Sequence, residues 1–225
     1  MNFIHALQDH GNPNSLAMRF RRARSAKVRQ LIETIHAERG ACRILDLGGE
    51  PGYWSLFDRG FLEAKGVSIL LVNPTPQVVD DPMFETLTAD ACELPQIESG
   101  RFDLVHSNSV IEHVGDWRRC EAFAAEVRRL APRYYIQTPY FYFPIEPHFS
   151  EPFFHWRSEQ ARARLLLRKG RGWFSRKAQD LGEAMRVVQH ARLLDKTQFK
   201  FLFPDADHVD ERVITLTKSL IAIRG

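Results

Sequence analysis

Residues 44–54 read ILDLGGEPGYW: an apolar strand with one aspartate, glycines at 48, 49 and 52, then two aromatics. Such a pattern turns sharply out of a buried strand and re-enters the core on a helix, leaving backbone open to a ligand. The next apolar run, VSILLVN (67–73), is nearly continuous, as expected of a strand buried on both faces of a parallel sheet. FETLTADA (84–91), RFDLVHSNS (101–109) and RYYIQTP (133–139) supply further strands, the last stopped by Pro139.

Helical segments lie around these strands. Residues 16–38 lack proline and glycine and read as a strongly basic helix. Residues 53–64 place Trp54, Leu56, Phe57, Phe61 and Leu62 on one apolar side. Residues 116–130 place Trp117, Cys120, Phe123, Ala124, Val127 and Leu130 along one face. Strands alternating with helices predict a doubly wound parallel sheet. The end of the chain differs. Two β-rich runs, 209–215 and 218–223, are separated only by Leu216 and Thr217. That link is too short for a crossover helix, so the two runs pair as an antiparallel hairpin. The predicted fold is α/β: a doubly wound, mainly parallel seven-stranded sheet closed by a C-terminal antiparallel hairpin.

A chain of 225 residues, 44% of them apolar, is sized for one α/β domain with insertions. The 31 basic and 28 acidic residues leave a net charge of +3, too small to require a nucleic-acid partner. No apolar run approaches the ~18 residues of a membrane span. The opening MNFIHALQDHGNPNS shows no basic region followed by a long apolar stretch, so no signal peptide is expected. Cys42, Cys92 and Cys120 are odd in number and lack metal-type spacing, which suits buried thiols in a reduced, cytoplasmic setting.

The glycine turn selects its ligand by exclusion. A nucleoside-triphosphate loop needs lysine and then Ser or Thr after the last glycine, but Tyr53 and Trp54 follow Gly52. The dinucleotide fingerprint G-x-G-x-x-G is absent, and Glu50 would set a carboxylate against a pyrophosphate. Asp46 and Glu50 are better suited to a cation or an amine. A ligand with an adenosine, an ammonium group and a positive sulfur meets that demand.

From about residue 40 onward the chain resembles the class I S-adenosylmethionine-dependent methyltransferases, which have a Rossmann-like sheet. The resemblance rests on Asp46 with Gly48, Gly49 and Gly52, on TADACELP with Asp90 and Ala91, and on FDLVHSNSVIEHV at 102–114. It implies S-adenosyl-L-methionine as cofactor and methylation as the activity. It further implies that Asp46, Gly48, Gly49, Glu50 and Gly52 seat the methionine end. Asn73 then meets the ribose, Asp90 and Ala91 the adenine, and Asn108 the sulfur side. Asn73 stands where the family usually has Asp or Glu, and Glu50 where it often has a second loop glycine. The domain reading that follows is a helical extension at 1–40 packed on a methyltransferase domain at 41–225, with an acceptor-side insertion at about 139–185.

Candidate catalytic residues are His113, which follows the fourth strand, and His148, in the aromatic loop PYFYFPIEPHFSEPFFHW (139–156). For His113 the alternative is a capping or packing role of the EH pair. For the loop it is packing over the sheet. Glu146, His148 and His155 are metal ligands by residue type, but their spacing matches no zinc pattern and no metal is expected. The segment 156–177 is crowded with arginine and lysine around one acid, Glu159. Such a run is ordinarily a solvated face; second to that, it would hold an anionic acceptor. With the basic helix at 19–29 it would make an RNA patch, yet no nucleic-acid motif accompanies it.

The expected activity is therefore methyl transfer to a small-molecule acceptor such as a sugar or secondary metabolite. The alternatives are a nicotinamide-dependent oxidoreductase, disfavoured by the missing fingerprint, and a non-catalytic descendant acting as a binding or partner subunit. The acceptor, the attacked atom and the oligomeric state are not encoded in these motifs.

Overall fold

The computed structural model describes residues 15–225; residues 1–14 of the expected N-terminal extension lie outside them. Helix α1 (Leu16–Arg39) leads into β1 (Cys42–Leu47), and the short helices α2 (Pro51–Trp54) and α3 (Arg59–Ala64) connect it to β2 (Val67–Asn73). Then come β3 (Phe84–Thr88), β4 (Leu104–Asn108), α4 (Trp117–Leu130) and β5 (Arg133–Pro139). The remainder holds β6 (Ile145–Glu146), β7 (Glu151–Pro152), α5 (Glu159–Leu166), α6 (Leu181–Val188), α7 (Lys196–Leu202), β8 (Asp207–Val213) and β9 (Leu216–Arg224).

Seven strands form one sheet in the order β3-β2-β1-β4-β5-β9-β8. The pairs from β3 to β5 are parallel, while β5–β9 and β9–β8 are antiparallel. The predicted sheet and its closing hairpin are both present. The chain runs outward from β1 through β2 to β3 and returns to β4, so β1 and β4 flank the point where strand order reverses. In open α/β sheets that crevice, beyond the carboxyl ends of the strands, is where ligands bind.

One face of the sheet packs on α4 and α7, with Phe123, Val127, Phe199 and Phe203 in its core. The other packs on α1 and the α2–α3 segment through Ile32, Ile35, Trp54 and Phe61. A separate cluster of Phe149, Phe154, Leu166, Phe174 and Val187 gives the 139–190 region an apolar centre of its own. Among the described residues, no helix is long and apolar enough to cross a membrane. All three cysteines are free and buried.

Three elements depart from expectation. The helix predicted over 53–64 is broken: Asp58 accepts from the Phe61 amide and starts α3 afresh after one turn of α2. Trp54, Phe57, Phe61 and Leu62 are buried all the same. The β3–β4 connection carries no helix where the alternation calls for one, whereas the β2–β3 link, crowded with Pro74, Pro76 and Pro82, is the short connection such a segment makes. The hairpin turns at Ile214 and Thr215, because Val213 pairs with Leu216. The pairing shifts register between Glu211 and Arg212, and β9 is buried on both faces, with Leu220 and Ala222 in one core and Ile221 in the other.

Candidate active site

At the switch point Asp46 is the last residue but one of β1, and Gly48 turns the chain with φ +69°. A Cβ on Gly48 would lie 2.4 Å from Val110 Cγ2, and one on Gly49 would lie 2.1 Å from Asp46 Oδ2. Neither position admits a side chain, so bare backbone faces the crevice. Pro51 opens α2 at its first position, where no amide donor is missed.

The Asp46 carboxylate points inward. It is 1% exposed and accepts from Trp54 Nε1 at 2.8 Å and from His106 Nδ1 at 2.7 Å. Because a carboxylate can only accept, His106 carries a proton on Nδ1. The His106 Nε2, the Tyr53 hydroxyl and Asn108 Oδ1 are buried without a partner among the described residues. All three residues line one cavity of about 430 Å³, together with Arg21, Asp46, Gly48, Gly49, Glu50 and Gly52. The cavity thus offers the Asn108 Oδ1 and Tyr53 hydroxyl and the Glu50 carboxylate, with Asp46 behind them and a single guanidinium at its edge. Asn73, at the end of β2, donates from Nδ2 to the Gly49 carbonyl at 2.7 Å. A ligand with an ammonium group, a positive sulfur and a carboxylate fits this donor set. A second anion such as a pyrophosphate does not.

Asp90 and Ala91 stand outside that lining, beyond β3. The Asp90 carboxylate is bridged by Arg119 Nη2 at 2.5 Å and accepts from the Cys92 amide at 2.9 Å. Desolvation works against its charge, but Arg119 and the amide outweigh it and hold the carboxyl below its usual range. The Ala89 amide bonds to the Asn73 carbonyl at 2.9 Å, so this segment adjoins the Asn73 end of the crevice.

A second cavity, about 350 Å³, shares Arg21 and Asn108 with the first. Its other walls are Arg24, Ser109, Gln137, Tyr140, Phe143, Ile145, Pro147, Lys218 and Ser219 among others. Arg24 reaches Glu211 with both carboxylate oxygens at 3.0–3.1 Å, and Lys218 shares the same glutamate at 3.4 Å. Burial pushes the Lys218 ammonium below the usual lysine value. Arg21 has no ion pair among the described residues, which leaves its charge free at the junction of the cavities.

His113 and His148 come together. Their Nε2 atoms lie 3.1 Å apart; His113 Nδ1 faces the His190 carbonyl at 3.0 Å and His148 Nδ1 faces Glu146 Oε1 at 2.8 Å. Glu112, 1% exposed, accepts from Thr138 Oγ1 at 2.9 Å, and its carboxyl is pushed up to about 7 by burial. Burial pushes His113 down to about 4. Burial also opposes the His148 cation, but the hydrogen bond that Nδ1 donates to Glu146 outweighs it and raises that pKa. His155, in contrast, bonds to the Phe141 carbonyl.

His106, Tyr53 and Arg21 are wall residues that the sequence did not single out. His106 had one signal: an imidazole within an otherwise buried strand, LVHSN. Arg21 had none, since α1 presents many arginines.

A methyltransferase-domain family model matches residues 18–202. Solved structures share the fold. One chain of the complex between the Haloferax volcanii Trm112 methyltransferase activator and a methyltransferase aligns at TM-score 0.51 and 13% identity, covering 98% of this chain and 97% of that one. A protein of Bordetella parapertussis aligns at TM-score 0.51 and 15% identity, covering 89% of this chain and 68% of that one. No protein of curated function matches the sequence. With the family model spanning most of the chain and the crevice suited to its cofactor, the protein belongs to the methyltransferase-domain family and is an S-adenosylmethionine-dependent methyltransferase.

Proposed function

We propose that the protein transfers a methyl group to a small-molecule acceptor carrying an anionic group, bound in the cavity between Ser109, Gln137, Tyr140 and Lys218. One observation carries this reading: that cavity adjoins the glycine cavity and is lined by Arg21, Arg24 and Lys218 and by no acid, with Arg24 and Lys218 paired to Glu211. Two cavities with a common wall suit a donor and an acceptor meeting at that wall.

In this reading the Gly48–Gly52 backbone and Glu50 seat the methionine end of the cofactor. Asp46 acts from behind, fixing His106 and Trp54. Asn73 spends its Nδ2 on Gly49 and offers Oδ1 to the ribose, while Asp90 and Ala91, steadied by Arg119, border the adenine. Asn108 lies on the wall common to both cavities and faces the sulfur. The cofactor supplies an electrophilic methyl on a positive sulfur. The chain must align the acceptor with that methyl and exclude water, and alignment alone contributes up to ~7–11 kcal/mol in the best cases. A free general base is not assigned, because His113 and His148 engage both ring nitrogens with other groups. An acceptor ionised at neutral pH needs none.

The test is a screen for label transfer from S-adenosylmethionine to paired acceptors, each as a carboxylate or phosphate and as its neutral amide or alcohol. The anionic member should be preferred, and Arg21→Ala should raise its KM at least tenfold. Turnover of neutral acceptors that Arg21→Ala leaves unchanged would overturn the assignment.

A further inference from the structure

Glu112, His113 and His148 present one ligand atom each within 4.8 Å of one another, at the carboxyl ends of β4 and β5. The hydrogen bonds around them fix the tautomers. His113 Nδ1 faces a backbone carbonyl and His148 Nδ1 faces a carboxylate, and both of those partners can only accept. Each Nδ1 therefore bears a proton. The two Nε2 atoms face each other across 3.1 Å, a contact that requires something positive, a proton or a metal ion, between them. Two imidazoles on one tetrahedral ion, at the usual ~2.0–2.1 Å bond length, hold their nitrogens about 3.3 Å apart, close to this spacing. Beside them Glu112 Oε1 is buried with no partner among the described residues, in a residue 1% exposed.

We propose that Glu112, His113 and His148 bind a divalent first-row transition metal ion, with zinc as the reference ion. Two imidazoles and a carboxylate suit zinc and its neighbours and leave coordination positions open. The surroundings are those of a built site. Glu146 orients His148 through Nδ1, as second-sphere carboxylates do for metal-binding histidines, and is itself held by the Phe149 amide. The His148 carbonyl is fixed by the Trp173 amide at 3.1 Å, where Gly172, at φ +54°, has no room for a Cβ. The His148 side chain keeps 18% exposure, which gives an ion a way in. Sequence spacing hid the set: Glu112 and His113 are adjacent, and His148 arrives from a loop 35 residues on. The site involves neither the cofactor crevice nor the nature of the acceptor.

The experiment is calorimetric titration of chelator-treated, dialysed full-length protein with zinc chloride, repeated with cobalt chloride while visible absorption is recorded. One equivalent should bind with micromolar or tighter affinity, and cobalt should show the intense bands of a low-coordinate ion. His148→Gln and Glu112→Gln should each weaken binding by at least tenfold, whereas His36→Ala, outside the cluster, should not. Circular dichroism checks that each variant folds. Absence of zinc and cobalt binding by the wild-type chain would overturn the proposal, as would binding that His148→Gln leaves unchanged. A histidine-labelled NMR spectrum showing a proton shared between the two Nε2 atoms that zinc does not displace would overturn it too. S-adenosylhomocysteine titrated separately reads the cofactor site, so failure of one assignment does not mimic failure of the other.

Discussion

Asn73 Nδ2 donates to the Gly49 carbonyl at 2.7 Å, tying the end of β2 to the glycine turn that follows β1. An ionised carboxylate cannot do this. An Asp or Glu in its place would set an oxygen against the carbonyl oxygen. The asparagine that departs from the family's usual acid is thus part of how this loop is held.

Asn73→Asp is therefore expected to weaken S-adenosylhomocysteine binding about tenfold, consistent with roughly 1–3 kcal/mol for a lost hydrogen bond left unpaired. Calorimetry measures it directly. Tighter binding by the aspartate would show that the ribose contact outweighs the loop contact.

Glycines 49 and 52 should respond oppositely to alanine. At 49 the new Cβ would lie 2.1 Å from Asp46 Oδ2, whereas at 52 nothing lies within 4 Å. Gly49→Ala should cost about 1–3 kcal/mol in urea unfolding, the usual range for overpacking. Gly52→Ala should stay within about 0.5 kcal/mol of the parent. Equal stabilities would mean that the Asp46 carboxylate does not occupy its inward position.

Trp54→Phe keeps the apolar ring and deletes the indole N–H that reaches Asp46 at 2.8 Å. A buried hydrogen bond to a charged group contributes about 1.5–3 kcal/mol, and a loss of that size is expected in urea unfolding. A loss below 0.5 kcal/mol would contradict the contact.

Lys218 gives the acceptor cavity a pH dependence with a definite sign. Its pKa is lowered, chiefly by burial and against the attraction of Glu211. The ammonium is present below that lowered pKa and is lost as pH rises through it, earlier than for an exposed lysine. KM for an anionic acceptor should therefore rise with pH on the alkaline side, and Lys218→Arg should remove that rise. Stability moves the other way over the same window. A lysine whose folded pKa lies below its unfolded one binds fewer protons folded than unfolded, so its cost is relieved as pH increases. A KM that is flat through this range in the parent protein would exclude Lys218 from acceptor binding.

The sequence by itself determined what depends on neighbours along the chain. Continuous apolar runs set the strands, the apolar face of 116–130 set α4, and the short link between the runs 209–215 and 218–223 required an antiparallel pair, though the turn itself fell two residues earlier. Glycines 48, 49 and 52 with Glu50 marked the ligand loop and excluded phosphate cradles, because backbone freedom and charge sign are local properties. The break at Asp58 was written there too, as a capping residue, but the apolar pattern across it concealed the restart. Tertiary structure decided everything that needs residues from distant segments. Asp46 and His106 are 60 residues apart, and only the β1–β4 pairing brings the imidazole to the carboxylate. Arg21 became distinct from the other arginines of α1 when packing turned it toward Asn108. His113 and His148 became a pair when the 139–152 loop closed over the end of β4. Sequence pattern reports which face of an element is buried. Which polar atoms meet inside is fixed by strand order and loop closure, and strand order is a property of the whole chain.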